Sequence, residues 1–596
     1  MSGSANLNLA VIGNCQIAAL IDSGGTIVWG CLPRLDGDPV FSGLLSPEGD
    51  PGRGTFEISM EAAARVRQRY VRNTAVVETL HENHAATLRV TDFCPRFRTR
   101  EGVHRPAMIV RLVEAVVGAP VIRVRLRPTA AYGALAPQVS LSSHALRFQS
   151  PDLAYRVTTD ASVTAVSEER PFALSGSVAF ILGDDEPLNE LPTTLGRSLL
   201  EQTRHYWEAW VRGLAVPLDY QEAVIRAAIT LKLCTFEDSG AILAALTTSI
   251  PEAPESLRNW DYRFCWLRDG YFTVHVLNRL GASQTMRSYL RFIHNTHVRT
   301  PVGELQPLYG LSGRACMEEV PAPALRGYRG MGPVRVGNQA YAQRQYDIYG
   351  AIILGATQLF YDERLDVADP QRIFASLERL GEHAVEGFAK PDSGPWELRG
   401  SEHVHTYSAL MCWAACDRLA AIATRVGQAK AATRWRDEAD GMHRRIIAEA
   451  WNPRRESFVA TFGGETLDAT LLLLAELRFL PASDPRFIST VEAIGRHLSR
   501  DDLLFRYRTA DDFGVPTTAF TVCAFWYVNA LAAIGRMQEA RDLFARLLDR
   551  RNGVGLLSED IDPRTGDLWG NFPQSYSMVG IIVSALRLSR YWEDVV

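Results

Sequence analysis

Near residue 195 the hydrophobic pattern of this chain changes period, and that change constrains the fold more than any other feature. Before it, short apolar or alternating runs (LAVIG, AALID, TIVWG, ATLRVTDF, MIVRLVEAV, VIRVRLRP, SVAFILG) are separated by Gly, Pro, Asp and Ser turns. Strands of this length at this spacing predict an antiparallel β-sandwich. After it, LGRSLLEQTRHYWEAWVRGL (195–214) has helical periodicity, and from Gln221 onward amphipathic helical segments dominate. About twelve are legible, among them 264–280, 338–361, 403–425, 466–475, 517–534 and 572–590. Twelve helices are what an (α/α)6 barrel needs. An α-solenoid has the same periodicity, but no self-similarity at the spacing of helical repeats accompanies it. Segregation of strands from helices indicates two domains. The expected division is a β-sandwich over 1–194, a helical linker over 195–220 and a barrel over 221–596.

At 596 residues the chain is long enough for more than one core. A net charge of −5 gives no reason to expect nucleic acid or an anionic membrane as partner. The opening MSGSANLNLAVIGN has no basic region or cleavage site of a secretory signal, and no apolar run is long enough to span a bilayer. The nine cysteines are odd in number and contain no Cys-x-x-Cys, which argues against a disulfide framework or a zinc site. Cys412 and Cys416, one turn apart beside Trp413, read as buried helix thiols. The expectation is a reduced, cytoplasmic, soluble protein.

Residues 259–281, NWDYRFCWLRDGYFTVHVLNRLG, concentrate aromatics, Arg and Asp immediately before an apolar helix. Flat rings stack on pyranose faces, and carboxylates and guanidinium groups take hydroxyls in fixed directions. A buried Arg–Asp pair at a helix start would use the same residues. The whole string resembles the signature of glycoside hydrolase family 15, which holds glucoamylases, glucodextranases and bacterial trehalases. The bacterial members place a β-sandwich before the barrel, as expected here.

Inverting glycoside hydrolysis needs a protonated and an ionised carboxyl on opposite sides of the scissile bond. In KPDSGPWELRG, Glu397 follows Trp396 in a Gly/Pro loop before a helix, surroundings that suit a proton donor. The segment resembles the family's Trp-Glu motif, which implies that Glu397 is the general acid. GVGLLSEDIDPRTGDLWGNFPQSYSMVG resembles the family's Leu-Ser-Glu-Glu loop and implies that Glu559 is the general base. Asp560 stands where the family has a second Glu, which leaves the base in place and any helper role open. Turn chemistry accounts for Asp562 and Asp567.

The same resemblance assigns Arg268 and Asp269 to the hydroxyls of the nonreducing glucose and Trp266 to the wall of that subsite. Segments 305–319 and 326–350 also resemble family loops and offer Tyr309, Arg326, Arg329, Arg335 and Asn338 as rim or subsite residues. Taken singly, each Arg is an ordinary surface or packing residue. Asp36 and Asp38 lie in a turn that could reach the barrel mouth or be a plain β-turn. His403-x-His405 lacks acidic or Cys companions, and no Gly-rich phosphate loop is present. Ala409 stands where many relatives have Lys. No cofactor and no metal is implied. The expected partner is a small glucoside, with the oligomeric state left open. The resemblance implies an inverting, exo-acting α-glucosidase. An absent signal and starch-binding module favour trehalose over α-1,4 or α-1,6 glucosides, and a catalytically silent sugar sensor is the non-enzymatic alternative.

Overall fold

The computed structural model describes residues 5–46, 52–299, 305–365 and 369–595. Two antiparallel sheets form first. One runs in the order Leu9–Gly13, Ala18–Asp22, Ile27–Leu32, Thr55–Met60, Val121–Arg127, Phe172–Ala173, with Asp38–Phe41 also paired to Ile27–Leu32. The other runs Gln138–Leu141, Ala145–Gln149, Ala154–Thr159, Ser177–Asp184, Ile109–Val117, Thr87–Phe93, Val77–Glu82, Arg65–Tyr70. Ala10, Ile12, Ala19 and Ile21 from the first sheet pack with Val90, Val113 and Phe180 from the second. Their neighbours Leu9, Val11, Leu20 and Trp29 face the other way, into the core of the helical region. Both faces of these strands are therefore buried, which is why they read as continuous apolar runs rather than alternating ones.

A short helix α1 (Val163–Ser167) packs on Val121–Arg127 of the first sheet and Ala145–Gln149 of the second, and α2 (Pro192–Arg212) crosses to the helical region. Trp207 of α2 is fully buried, and Arg96 from the sandwich donates to both Tyr206 of α2 and Glu237 beyond it. The helices that follow are α3 (Gln221–Leu233), α4 (Leu267–Arg279), α5 (Ser283–Arg299), α6 (Asp347–Thr357), α7 (Pro370–Gly387) and α8 (Thr406–Arg425). Next come α9 (Ala429–Ala450), α10 (Pro485–Leu498), α11 (Thr521–Ala533), α12 (Met537–Asp549) and α13 (Ser575–Leu588). An inner ring of α4, α6, α8, the 3-10 helix Ala469–Leu473, α11 and α13 closes as α13 packs back on α4. The other helices lie outside it, giving an (α/α)6 barrel. Inner helix α11, TVCAFWYVNALAA, is apolar all round, as a helix covered on every side must be.

Two helix expectations are corrected. Segment 466–475 is only the 3-10 helix Ala469–Leu473, started by Asp468, whose carboxylate takes the Thr470 N–H. Its Leu run is buried on all sides, so the pattern marks burial rather than an amphipathic helix. Segment 338–361 begins as a separate 3-10 turn, Gln339–Ala342, because the Asn338 side chain caps Ala340; α6 starts only at Asp347. Cys412 and Cys416 are buried in α8. No helix among the described residues is long and apolar enough to cross a membrane.

Candidate active site

The pocket opens where the N-termini of inner helices converge with the loops that precede them. A two-residue strand, Cys265–Trp266, pairs with Leu308–Tyr309 and delivers Arg268 and Asp269 into the first turn of α4. The loop before it is braced from the sandwich: Arg263 donates to Gly37 O at 2.9 Å and to Tyr132 Oη at 2.9 Å, and Trp29 Nε1 to Leu246 O at 2.8 Å.

Arg268 is buried and donates to Gln345 Oε1 (2.8 Å), Asp347 Oδ2 (3.1 Å) and Glu397 Oε1 (3.3 Å). Asp269 lines the pocket at 5% exposure. Burial pushes its carboxyl up to about 7 against the opposing charge of Arg268. A carboxyl in that state suits a ligand hydroxyl, with which it can exchange hydrogen bonds either as acceptor or as donor.

Glu397 lines the same pocket with φ +62°, a left-handed conformation that costs a non-glycine residue about 1–2 kcal/mol. Its Oε1 takes Trp266 Nε1–H at 2.6 Å as well as Arg268. Trp396 lines the pocket as well. Its indole N–H turns to Asp468 Oδ2 at 2.7 Å, and its ring packs on Phe520. Donors, not an aromatic face, surround the Glu397 carboxyl.

Glu559 is 1% exposed and hydrogen-bonded to the pocket-lining Tyr262, whose hydroxyl donates to Oε1 at 2.7 Å; Asn571 N–H reaches Oε2 at 3.3 Å. Gly570 abuts this carboxyl so closely that a Cβ there would lie 2.6 Å from Oε2, and its φ of +75° also demands glycine. Burial drives the Glu559 pKa well up, Glu252 and Asp560 push it further, and Tyr262 and Arg506 oppose them. Asp560 is itself pushed up to about 8, chiefly by burial. Three carboxyls thus sit around Arg506, which is ion-paired to Glu252 at 2.6 Å.

Residues 219–586 match the model for Glycosyl hydrolases family 15, and residues 5–167 match Trehalase-like, N-terminal. The chain belongs to glycosyl hydrolase family 15. Within the family it is 32% identical to a trehalase of Mycobacterium tuberculosis (strain ATCC 25618 / H37Rv), covering 98% of this chain and 90% of that one. It is 31% identical to a trehalase of Thermoplasma volcanium, covering 97% and 92%. A bacterial glucoamylase complexed with acarbose shares the fold at TM-score 0.69 and 12% identity, over 98% of this chain and 94% of that one.

For a family 15 chain, the remaining expected rim residues fall in different places. Asn338 lines the pocket, but its amide is spent on Asp261 O and the Ala340 N–H. Arg335 stands one layer behind the wall, holding Glu319 at 2.7 Å beside Trp260. Tyr309 and Arg329 do not line the pocket. Tyr309 is fully buried with its hydroxyl taking the Gln306 N–H, and Arg329 donates to Ala5 O and lies against Trp569. Arg326 and Ala409 are also outside the lining. Asp36 pairs with Arg34, and Asp38 accepts from the Ala131 and Tyr132 N–H groups. Burial lowers His405 to about 4, and no group of three or more metal-ligating side chains exists among the described residues.

Several pocket residues lie outside the expected set. Trp260 and Tyr262 lie inside the motif string itself, where aromatic density was a usable signal. Glu252, Arg506 and the Asp511–Phe513 loop gave none, because nothing local distinguishes them from other surface-type charges. Arg258 ties that loop down through Asp511 at 2.7 Å. Arg399 lies 4.1 Å over Trp260, adding a cationic, aromatic lip.

Proposed function

We propose that this chain is a trehalase, hydrolysing α,α-trehalose to two glucose molecules by single displacement. The observation that carries the substrate is the nearly end-to-end likeness to trehalases from both a bacterium and an archaeon. Glu397 is the general acid: Trp266 and Arg268 occupy its Oε1, which leaves Oε2 to carry the proton to the glycosidic oxygen. Glu559 is the general base. Tyr262 orients it and keeps hydroxyl lone pairs for the attacking water. For Glu559 to ionise, Asp560 keeps its own proton, its carboxyl being pushed up to about 8, and Arg506 pairs with Glu252.

Arg268 and Asp269 hold the glucose that is attacked, with Trp266 beside it. The second glucose leaves toward Trp260 and Arg399. Nine free thiols, eight of them buried, suit a reducing compartment, and a cytoplasmic location is proposed on that ground. The division at 194/195 and 220/221 belongs to the same proposal, supported by the start of α2 at Pro192 and of α3 at Gln221.

Glucose release from trehalose, maltose and isomaltose, measured side by side, tests the reading. The expected result is the highest kcat/KM on trehalose. Preference for maltose or isomaltose would replace the substrate, and no release from any α-glucoside would replace the enzyme by a sensor.

A further inference from the structure

A second cavity lies back to back with the active-site pocket. The C-terminal halves of the inner helices form it, with Arg279 ending α4, Asn529 on α11 and Arg587 near the end of α13. Its volume is about 970 Å³, the size of a site for a small organic ligand. One layer of rings divides the two spaces. Phe272 and Trp526 line the second cavity, Tyr576 lines the first, and their centroids are 5.3 Å (Phe272–Tyr576) and 6.4 Å (Trp526–Tyr576) apart.

The walls are largely apolar, including Val274, Leu354, Leu472 and Val579, but the charges are unbalanced. Arg279, Arg418, Arg478 and Arg587 face only Asp417 and Glu476. Arg418 pairs with Asp417, and Arg587 with Glu476. Asp417 is drawn outward as well, to Arg436 at 2.6 Å. The side chains of Arg279 and Arg478, both exposed residues at the rim of the cavity, have no hydrogen bond or ion pair with any described residue. Burial, and then the charge of Arg279, push the His275 pKa down, so that ring adds no charge at neutral pH. Asn278 and Asn529 line the cavity with buried, unpartnered Oδ1 atoms, each 8% exposed or less as a residue. A buried polar group left so costs about 1–3 kcal/mol until a ligand or water satisfies it.

We propose that this cavity binds an amphipathic organic anion, its apolar body among the inner helices and its anionic head on Arg279 and Arg478. Charge-assisted bonds to two uncommitted guanidinium groups supply the head group's affinity, and the walls take the apolar body. Neither a sugar nor a bare inorganic anion matches both halves of this lining.

Calorimetric titration of the full chain tests it, with octanoate as the probe and 1-octanol, acetate and inorganic phosphate as head- and tail-deleted controls. One octanoate should bind saturably, with each control at least about tenfold weaker. Arg279→Ala combined with Arg478→Ala should weaken octanoate about tenfold or more. Ala421→Trp, a half-buried lining position, should block it by filling the space while leaving thermal unfolding intact. No saturable octanoate binding overturns the proposal. So does binding indifferent to both the arginine pair and Ala421→Trp, or phosphate or octanol binding as tightly as octanoate.

Discussion

Tyr262 and Trp266 meet edge-on with ring centroids 5.3 Å apart, and each gives its one polar hydrogen to a different carboxylate. Tyr262 serves Glu559 and Trp266 serves Glu397. One aromatic pair therefore sets the positions of both proposed catalytic groups, and it arises from two residues only four apart in sequence, in the loop and short strand before α4.

Tyr262→Phe keeps the ring contact and removes the hydrogen bond. A bond to a charged group is worth about 1.5–3 kcal/mol, so kcat should fall roughly ten- to hundredfold. The bond favours ionised Glu559, so its loss raises that pKa further, and the acid limb of the kcat profile should move to higher pH. An unmoved limb would separate Tyr262 from the base.

Glu397→Gln and Glu559→Gln should each lower kcat by about 10²–10⁴-fold on trehalose while circular dichroism and thermal unfolding stay near wild type. Near-normal turnover of Glu559→Gln would remove that residue from the mechanism.

Asp269→Asn should lower kcat by on the order of 10²-fold, because a hydroxyl contact that strengthens in the transition state acts on the barrier. A raised KM with unchanged kcat would mean that Asp269 binds ground state and transition state alike.

Single displacement sets the anomers. The attacked ring of trehalose should leave as β-glucose and the other ring as α-glucose, seen by proton NMR before mutarotation. This requires a carboxyl separation in the inverting range, about 6.5–9.5 Å. Two α-glucose molecules would mean retention.

Asp560→Asn has a signed effect on stability. The native carboxyl holds its proton up to about 8, whereas an unfolded Asp releases it near 3.9. Its contribution is thus fully present below about 4 and lost as pH rises toward 8. The variant should narrow the Tm gap between pH 5 and pH 8.5 by a few degrees. Asn is neutral like the protonated Asp560 that accompanies ionised Glu559, so the acid limb of activity below pH 8 should stay near wild type. A gap identical to wild type would show that Asp560 titrates normally.

The change of hydrophobic period near residue 195 was enough to separate sandwich from barrel, because burial periodicity is a local property of each element. Sequence also placed Arg268 and Asp269 together, since adjacent residues in a helix's first turn share one fate. It could not see that Glu559 needs Tyr262, 297 residues away, or that Glu252 meets Arg506, 254 residues away. Those contacts exist only after the ring from α4 to α13 closes and brings loop ends together. The misplaced rim residues have the same cause. Tyr309 and Arg329 sit in segments of the right character, but strand pairing buries Tyr309 and the N-terminal segment takes up Arg329. The 466–475 segment failed for a different reason. An unbroken Leu run reports burial and not helix type, and only packing between α8 and α11 made it a short 3-10 turn. Local pattern determined which elements form; long-range packing decided which side chains reach the pocket.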